Sequence, residues 1–113
     1  MRDFLFVKDG SKHVQVFFSQ LQYIEAAHRY VRFVTADKVY TGEGPLYDVE
    51  TALPVEQFCR IHKSYIISLL HTRHFDARTV MVGGCQLPIG RQYRGILPKK
   101  VNVVCGNAAS AKK

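Results

Sequence analysis

Apolar residues along this chain recur mostly at every second position, the period of a half-buried strand. In His13–Phe18 the alternation puts Val14, Val16 and Phe18 on one face. In Tyr30–Thr35 it puts Val31 and Phe33 on one side and Tyr30 and Arg32 on the other. Cys85, Leu87 and Ile89 point together, leaving Gln86 and Pro88 outward. A proline cannot donate to a strand ladder, so that segment belongs at a sheet edge or a strand end. Further short strands are expected at Phe4–Lys8, Leu21–Ala26, Lys38–Thr41, Phe58–His62, Arg73–Asp76, Thr79–Val82 and Lys100–Val104. Asp9-Gly10, Ala36-Asp37 and Gly83-Gly84 supply turn chemistry between them. Roughly ten close-spaced strands predict an antiparallel, mainly β domain.

Two segments depart from the period of two. Gly44–Leu53 reads as a short helix over 45–53, with Pro45 at its first position and Leu46, Val49 and Leu53 on one stripe. Residues 91–97 predict a helical turn with Tyr93, Ile96 and Leu97 inward and Arg91, Gln92 and Arg94 outward, stopped by Pro98. Gly106–Lys113 has nothing large to bury and is expected to be a disordered tail, leaving residues 1–105 as the folded domain.

A length of 113 residues with 47% hydrophobic and 22% charged side chains suits one core and excludes two. The longest uncharged run, Thr79–Gly90, contains glycines and a proline and falls short of the roughly 20 apolar residues of a membrane span. Lys8 interrupts any signal-peptide core. Cys59, Cys85 and Cys105 are odd in number and widely spaced, as in a reduced chain. One soluble, cytoplasmic domain is expected.

Charge alters this plain picture. Sixteen basic against nine acidic side chains give +7, and the excess is one-sided. Residues 1–56 hold six basic and eight acidic groups, a balance of −2; residues 57–113 hold ten and one, a balance of +9. Such asymmetry points to a surface that meets an anion, most often nucleic acid or an acidic membrane. The acids are scattered singly, and neither a nucleophile elbow nor a phosphate-cradling loop occurs, so no catalytic residues and no cofactor are expected. Cys59 and His62, three apart on a strand, point to opposite faces, and Cys59 joins Ile61 on the apolar side; no metal site is expected.

The basic side chains themselves form three clusters at strand ends. These are Arg29 and Arg32 near the Ala27-His28-Arg29 corner, Arg60, His62 and Lys63 leaving a strand that ends at Ser64, and Arg91 with Arg94. Arginine bonds guanine bidentately, while Ser64 and Gln92 add phosphate-grade donors.

Tyr23-Ile-Glu25, Tyr30-Val-Arg32, Phe58-Cys-Arg-Ile-His-Lys-Ser-Tyr-Ile66 and Leu87-Pro-Ile-Gly-Arg91, in that order, resemble the LytTR family of bacterial DNA-binding domains. The likeness runs from about Phe4 to Val104. It implies about ten strands in small antiparallel sheets that send loops into double-stranded promoter DNA. It places the base-reading positions on His28, Arg29, Lys63 and Arg91, with Arg60, Ser64, Gln92 and Arg94 on the backbone. It further implies dimers on tandem imperfect repeats, and a place behind the receiver domain of a two-component response regulator that answers a sensor kinase. On that basis the chain is expected to be an excised C-terminal fragment, because the first strand follows Met1 almost directly. Two other readings compete. One is a single-strand or RNA binder stacking bases on Tyr23, Tyr30 and Tyr65; the other is a basic protein-interaction module.

Overall fold

The computed structural model describes residues 3–106. Among them, ten strands form three antiparallel sheets. Strands β1 (Phe4–Asp9) and β2 (Lys12–Phe17) make a hairpin. Strands β3 (Tyr23–Ala27), β4 (Tyr30–Val34), β5 (Val39–Glu43), β6 (Phe58–His62) and β7 (Tyr65–Ser68) build a central sheet in the order β5-β4-β3-β7-β6. Strands β8 (Thr72–Phe75), β9 (Thr79–Val82) and β10 (Cys85–Pro88) form a third sheet with β10 at one edge, the position that Pro88 requires. Helix α1 (Leu46–Ala52) joins β5 to β6, and a short helix α2 (Leu97–Lys100) follows β10.

The central sheet is covered on one face along its length and on the other at its β6–β7 side, where strands are buried on both faces. On one face Val7 and Val16 of the hairpin, with Leu46 and Leu53 from α1 and its C-terminal end, pack on Ile24, Val31, Phe33, Phe58 and Ile66. On the other face Val80, Val82, Leu87, Ile89 and Leu97 pack on Cys59, Ile61 and Ile67. The alternation along the chain therefore selects which layer each side chain enters. The close approach of layers is visible at Gly83, which turns β9 into β10 with φ +57 and lies against the Gln22 side chain, where a Cβ would sit 2.6 Å from Oε1.

Four expectations change. Lys100–Val104 is not a strand: Lys100 ends α2, residues 101–106 are irregular and pair with no strand, and Val103 and Val104 are 61% and 76% exposed. The tenth strand is β7, whose Ile66, Ile67 and Ser68 are all buried because β3 and β6 flank it and both faces are covered. The expected turn at 91–97 divides into a 3₁₀ turn, Arg91–Tyr93, and α2, with Gly95 at φ +85 between them. Pro98 therefore lies in the first turn of α2 instead of ending a helix, as suits a residue with fixed φ and no N–H. In α1, Pro45 is the cap residue and Leu46 the first helical one. The tail expected at 106–113 lies, apart from Gly106, outside the described residues.

All three cysteines are free thiols in very different surroundings. Cys59 is 4% exposed, and burial pushes its thiol pKa up; Cys105 is exposed. Since the thiolate is the nucleophile, iodoacetamide at pH 8 is expected to label Cys105 first and Cys59 only on unfolding. Peptide mapping over a time course checks this, and equal rates would contradict the packing around β6.

Candidate nucleic-acid interface

Three chain reversals lie together at one end of the central sheet. The β3–β4 turn is His28-Arg29, a two-residue hairpin loop closing the Ala27–Tyr30 pair. The β6–β7 turn is Lys63-Ser64, closing the His62–Tyr65 pair. Because β7 runs antiparallel to β3, the start of one meets the end of the other, and the Ala26 N–H donates to Ser64 O at 2.9 Å. The third element follows β10: the Gly90 N–H donates to Ile61 O at 2.8 Å, which sets the Arg91–Tyr93 turn against the end of β6. A Cβ at Gly90 would lie 3.1 Å from the Tyr93 ring and 3.4 Å from the His62 ring, so the glycine permits this approach.

His28, Arg29, Lys63, Arg91, Gln92 and Arg94 are exposed at these reversals, and Ser64 is half-buried. Arg29 meets only an exposed carboxylate, Glu43, at 4.0 Å, a contact of little energetic weight. The backbone at His28 has φ 60. Two-residue hairpin loops favour positive φ at their first position, usually filled by glycine or asparagine. Histidine there costs about 1 kcal/mol or more. Glycine would remove that strain but add about 0.4–1 kcal/mol of unfolded-chain entropy. His28→Gly is therefore expected to leave the midpoint of urea unfolding unchanged or slightly raised while lowering affinity for DNA. Loss of stability in that variant would show that His28 serves the fold.

Arg60 does not join this exposed set. A bulge between Arg60 and His62 shifts the β6–β7 register, which breaks the outward alternation expected for Arg60, His62 and Lys63. The Arg60 side chain is 19% exposed and its guanidinium is turned inward. Nε donates to His62 O at 2.8 Å, Nη2 to Lys63 O at 2.7 Å, and Nη1 to Glu50 Oε1 at 2.7 Å. His62 packs on Tyr65 at 5.3 Å between ring centroids, and its Nδ1 accepts the Ser64 N–H at 3.0 Å.

Arg32 likewise lies back from the turns, donating from Nη1 to Glu25 Oε1 at 2.9 Å across the β3–β4 pair. Tyr65 reaches the other Glu25 oxygen at 3.3 Å, and burial, then the Glu25 carboxylate, raises its phenol pKa. Tyr23 packs edge-on to Tyr65 at 6.2 Å; burial and a hydrogen bond with Cys85 push its phenol up to about 12. Both rings pack against the second core, which leaves Tyr30, 47% exposed, as the one open ring of the three considered for base stacking.

One cation at this end has no counterpart in the sequence reading. In the β8–β9 turn, Asp76 accepts the N–H groups of Arg78 and Thr79, each at 2.8 Å, and these bonds hold its carboxyl below the usual carboxylate range. The Ile89 N–H donates to Arg78 O at 2.8 Å, so exposed Arg78 stands beside the backbone that leads into Arg91. The spacing Asp76-Ala-Arg-Thr79 marks an Asx turn. Only the folded β8–β10 sheet places it here. Among the described residues no three His, Cys, Asp or Glu side chains converge as a metal-binding group. No described helix is long and apolar enough to cross a membrane.

The sequence profile of the LytTr DNA-binding domain matches residues 11–102, most of the chain. This chain belongs to the LytTr DNA-binding domain family. Among solved structures it is similar to the LytTr DNA-binding domain of a Bacillus cereus protein assigned as a methyl-accepting/DNA response regulator. The superposition has a TM-score of 0.77 at 20% identity, covering 91% of this chain and 100% of the other. No curated protein sequence matches the chain. The LytTr family resemblance and the mainly β architecture expected from the sequence thus both hold.

Proposed function

We propose that this LytTr domain reads double-stranded DNA by sequence through the turns at one end of its central sheet, as the output domain of a transcriptional regulator. The observation that carries the reading is the convergence of His28-Arg29, Lys63 and Arg91 on one end, all exposed, on a rigid sheet. Loops held by such a scaffold suit recognition. Arg91, Lys63, His28 and Arg29 are the base-reading candidates. Ser64, Gln92 and Arg94 suit phosphate contacts, and Arg78 extends that row. Phosphate neutralisation would supply much of the affinity and make it fall with salt.

A binding role, with no catalysis, fits a family defined by DNA binding. The response-regulator assignment of the Bacillus cereus protein favours a place as the output domain of a response regulator; a preceding receiver domain, a cytoplasmic two-component setting and two copies on tandem repeats are part of the same proposal. The test is selection from random duplex DNA, followed by titration of enriched and scrambled sequences at two salt concentrations. The expected result is a pair of similar short repeats whose preference over scrambled DNA survives added salt. Salt-sensitive binding with no enriched sequence would overturn sequence reading. Preference for oligo(dT) or RNA over duplex would favour single-strand binding, and no DNA binding even at low salt would favour a protein partner.

A further inference from the structure

We propose that Glu50 and Arg60 form a positioning pair that holds the Lys63-Ser64 turn in its DNA-binding shape, so that helix α1 governs affinity although it lies behind the turns. The proposal rests on the reading of that turn as a DNA contact. Its basis is the use of the Arg60 donors. A phosphate contact needs a guanidinium pointing out, whereas this one spends Nε and Nη2 on the carbonyls of His62 and Lys63 and Nη1 on Glu50, all within 2.8 Å. Charge-assisted bonds of this length are among the stronger ones. The turn is gripped a second time by His62, whose Nδ1 accepts the Ser64 N–H, a role that requires Nδ1 to carry no proton. Two side chains of β6 therefore fix the carbonyls and the amide of the turn that follows them. Glu50, on α1, aims the first of the two.

Glu50 is itself ill suited to its place on other grounds. It lies in the last turn of α1, where a negative charge meets the negative end of the helix dipole, and its side chain is 40% exposed. Its removal is not expected to cost the helix. Electrostatics alone also predict that deleting a carboxylate near a DNA-binding end strengthens binding. The positioning role predicts the opposite sign, and that contrast makes the test decisive.

The experiment uses the whole chain and the duplex recovered by selection. Glu50→Ala is expected to weaken binding about tenfold, the scale of one lost charge-assisted hydrogen bond. Glu50→Gln keeps an oxygen for Nη1 and is expected to recover most of that loss. Arg60→Lys, with one ammonium in place of a fork, is expected to match Glu50→Ala, and the double variant to be no weaker than either alone. In the free protein, the Ser64 amide is expected to exchange faster in Glu50→Ala while amides of β9 are unchanged. Unchanged or tighter binding by Glu50→Ala overturns the proposal, as does an unchanged Ser64 amide. Arg60→Gln lowering the salt slope by about one, with Glu50→Ala neutral, would return Arg60 to the phosphate-contact role. Failure of the unaltered chain to bind any duplex would reject the DNA reading and with it the affinity claim. The Ser64 exchange result would then judge the grip on the turn separately.

Discussion

Replacing Arg91 by alanine is expected to collapse the preference for the selected duplex over scrambled DNA, while leaving much of the salt-dependent binding in place. Arg91 is exposed at the start of the turn that follows β10, and its backbone is tied through the Gly90–Ile61 bond to the end of β6. An arginine held this way can offer two parallel donors to a base edge, and a good bidentate pair is worth about 1–3 kcal/mol of discrimination. The ratio of the two affinities should therefore fall by roughly 5- to 150-fold. Arg94, three residues on and exposed, follows the turn at extended dihedrals and makes no described side-chain bond. Arg94→Ala is expected to weaken both duplexes alike and to reduce the salt slope by about one. Titrating both variants against both duplexes checks the pair. Equal loss on the two duplexes for Arg91→Ala would move base reading to Lys63 or His28-Arg29.

Ile67→Ala is expected to cost about 2–5 kcal/mol of stability, a substantial part of what holds a domain of this size together. Ile67 is fully buried on β7, pairs with Tyr23 on one side and Cys59 on the other, and faces the β8–β10 layer. Urea unfolding followed by far-UV circular dichroism measures the change. A loss under about 1 kcal/mol would mean that the third sheet does not pack on β7 as described.

Ile67 also shows where the sequence stops being legible. Where one face meets the core and the other meets water, as in β4, alternation locates both the strand and its buried face. In β7 that contrast vanishes, because Ile66 enters one core and Ile67 the other. A run such as Tyr65–Ser68 then carries no period. The opposite error, at Lys100–Val104, arose because Val101, Val103 and Val104 look like a strand although they pair with none. The turns were readable because glycine, asparagine-like and charged residues mark reversals locally. What each side chain does there was less so. Arg60 looked like its basic neighbours, but it lies opposite buried Ile66 on the face that α1 covers and turns to Glu50, and Arg78 joined the cluster only through the pairing of β8 with β9 and β9 with β10. Charge and spacing announce a basic surface; register and bulges decide which cations reach it.

The strand order has a consequence for how the chain assembles. Almost every ladder here joins neighbours in sequence: β1 with β2, β3 with β4 and β4 with β5, β6 with β7, and β8 through β10 in series. Only β3 with β7 closes a long stretch, bringing Tyr23 to Ile67. Short-range hairpins form fast, whereas closing a long loop must first meet its entropy cost. The rate-limiting event in folding is thus expected to be the docking of two locally formed meanders along the β3–β7 seam. The same seam carries the Ala26–Ser64 bond between the first two turns of the proposed interface, so those turns are expected to come into register only at the last and slowest step of folding.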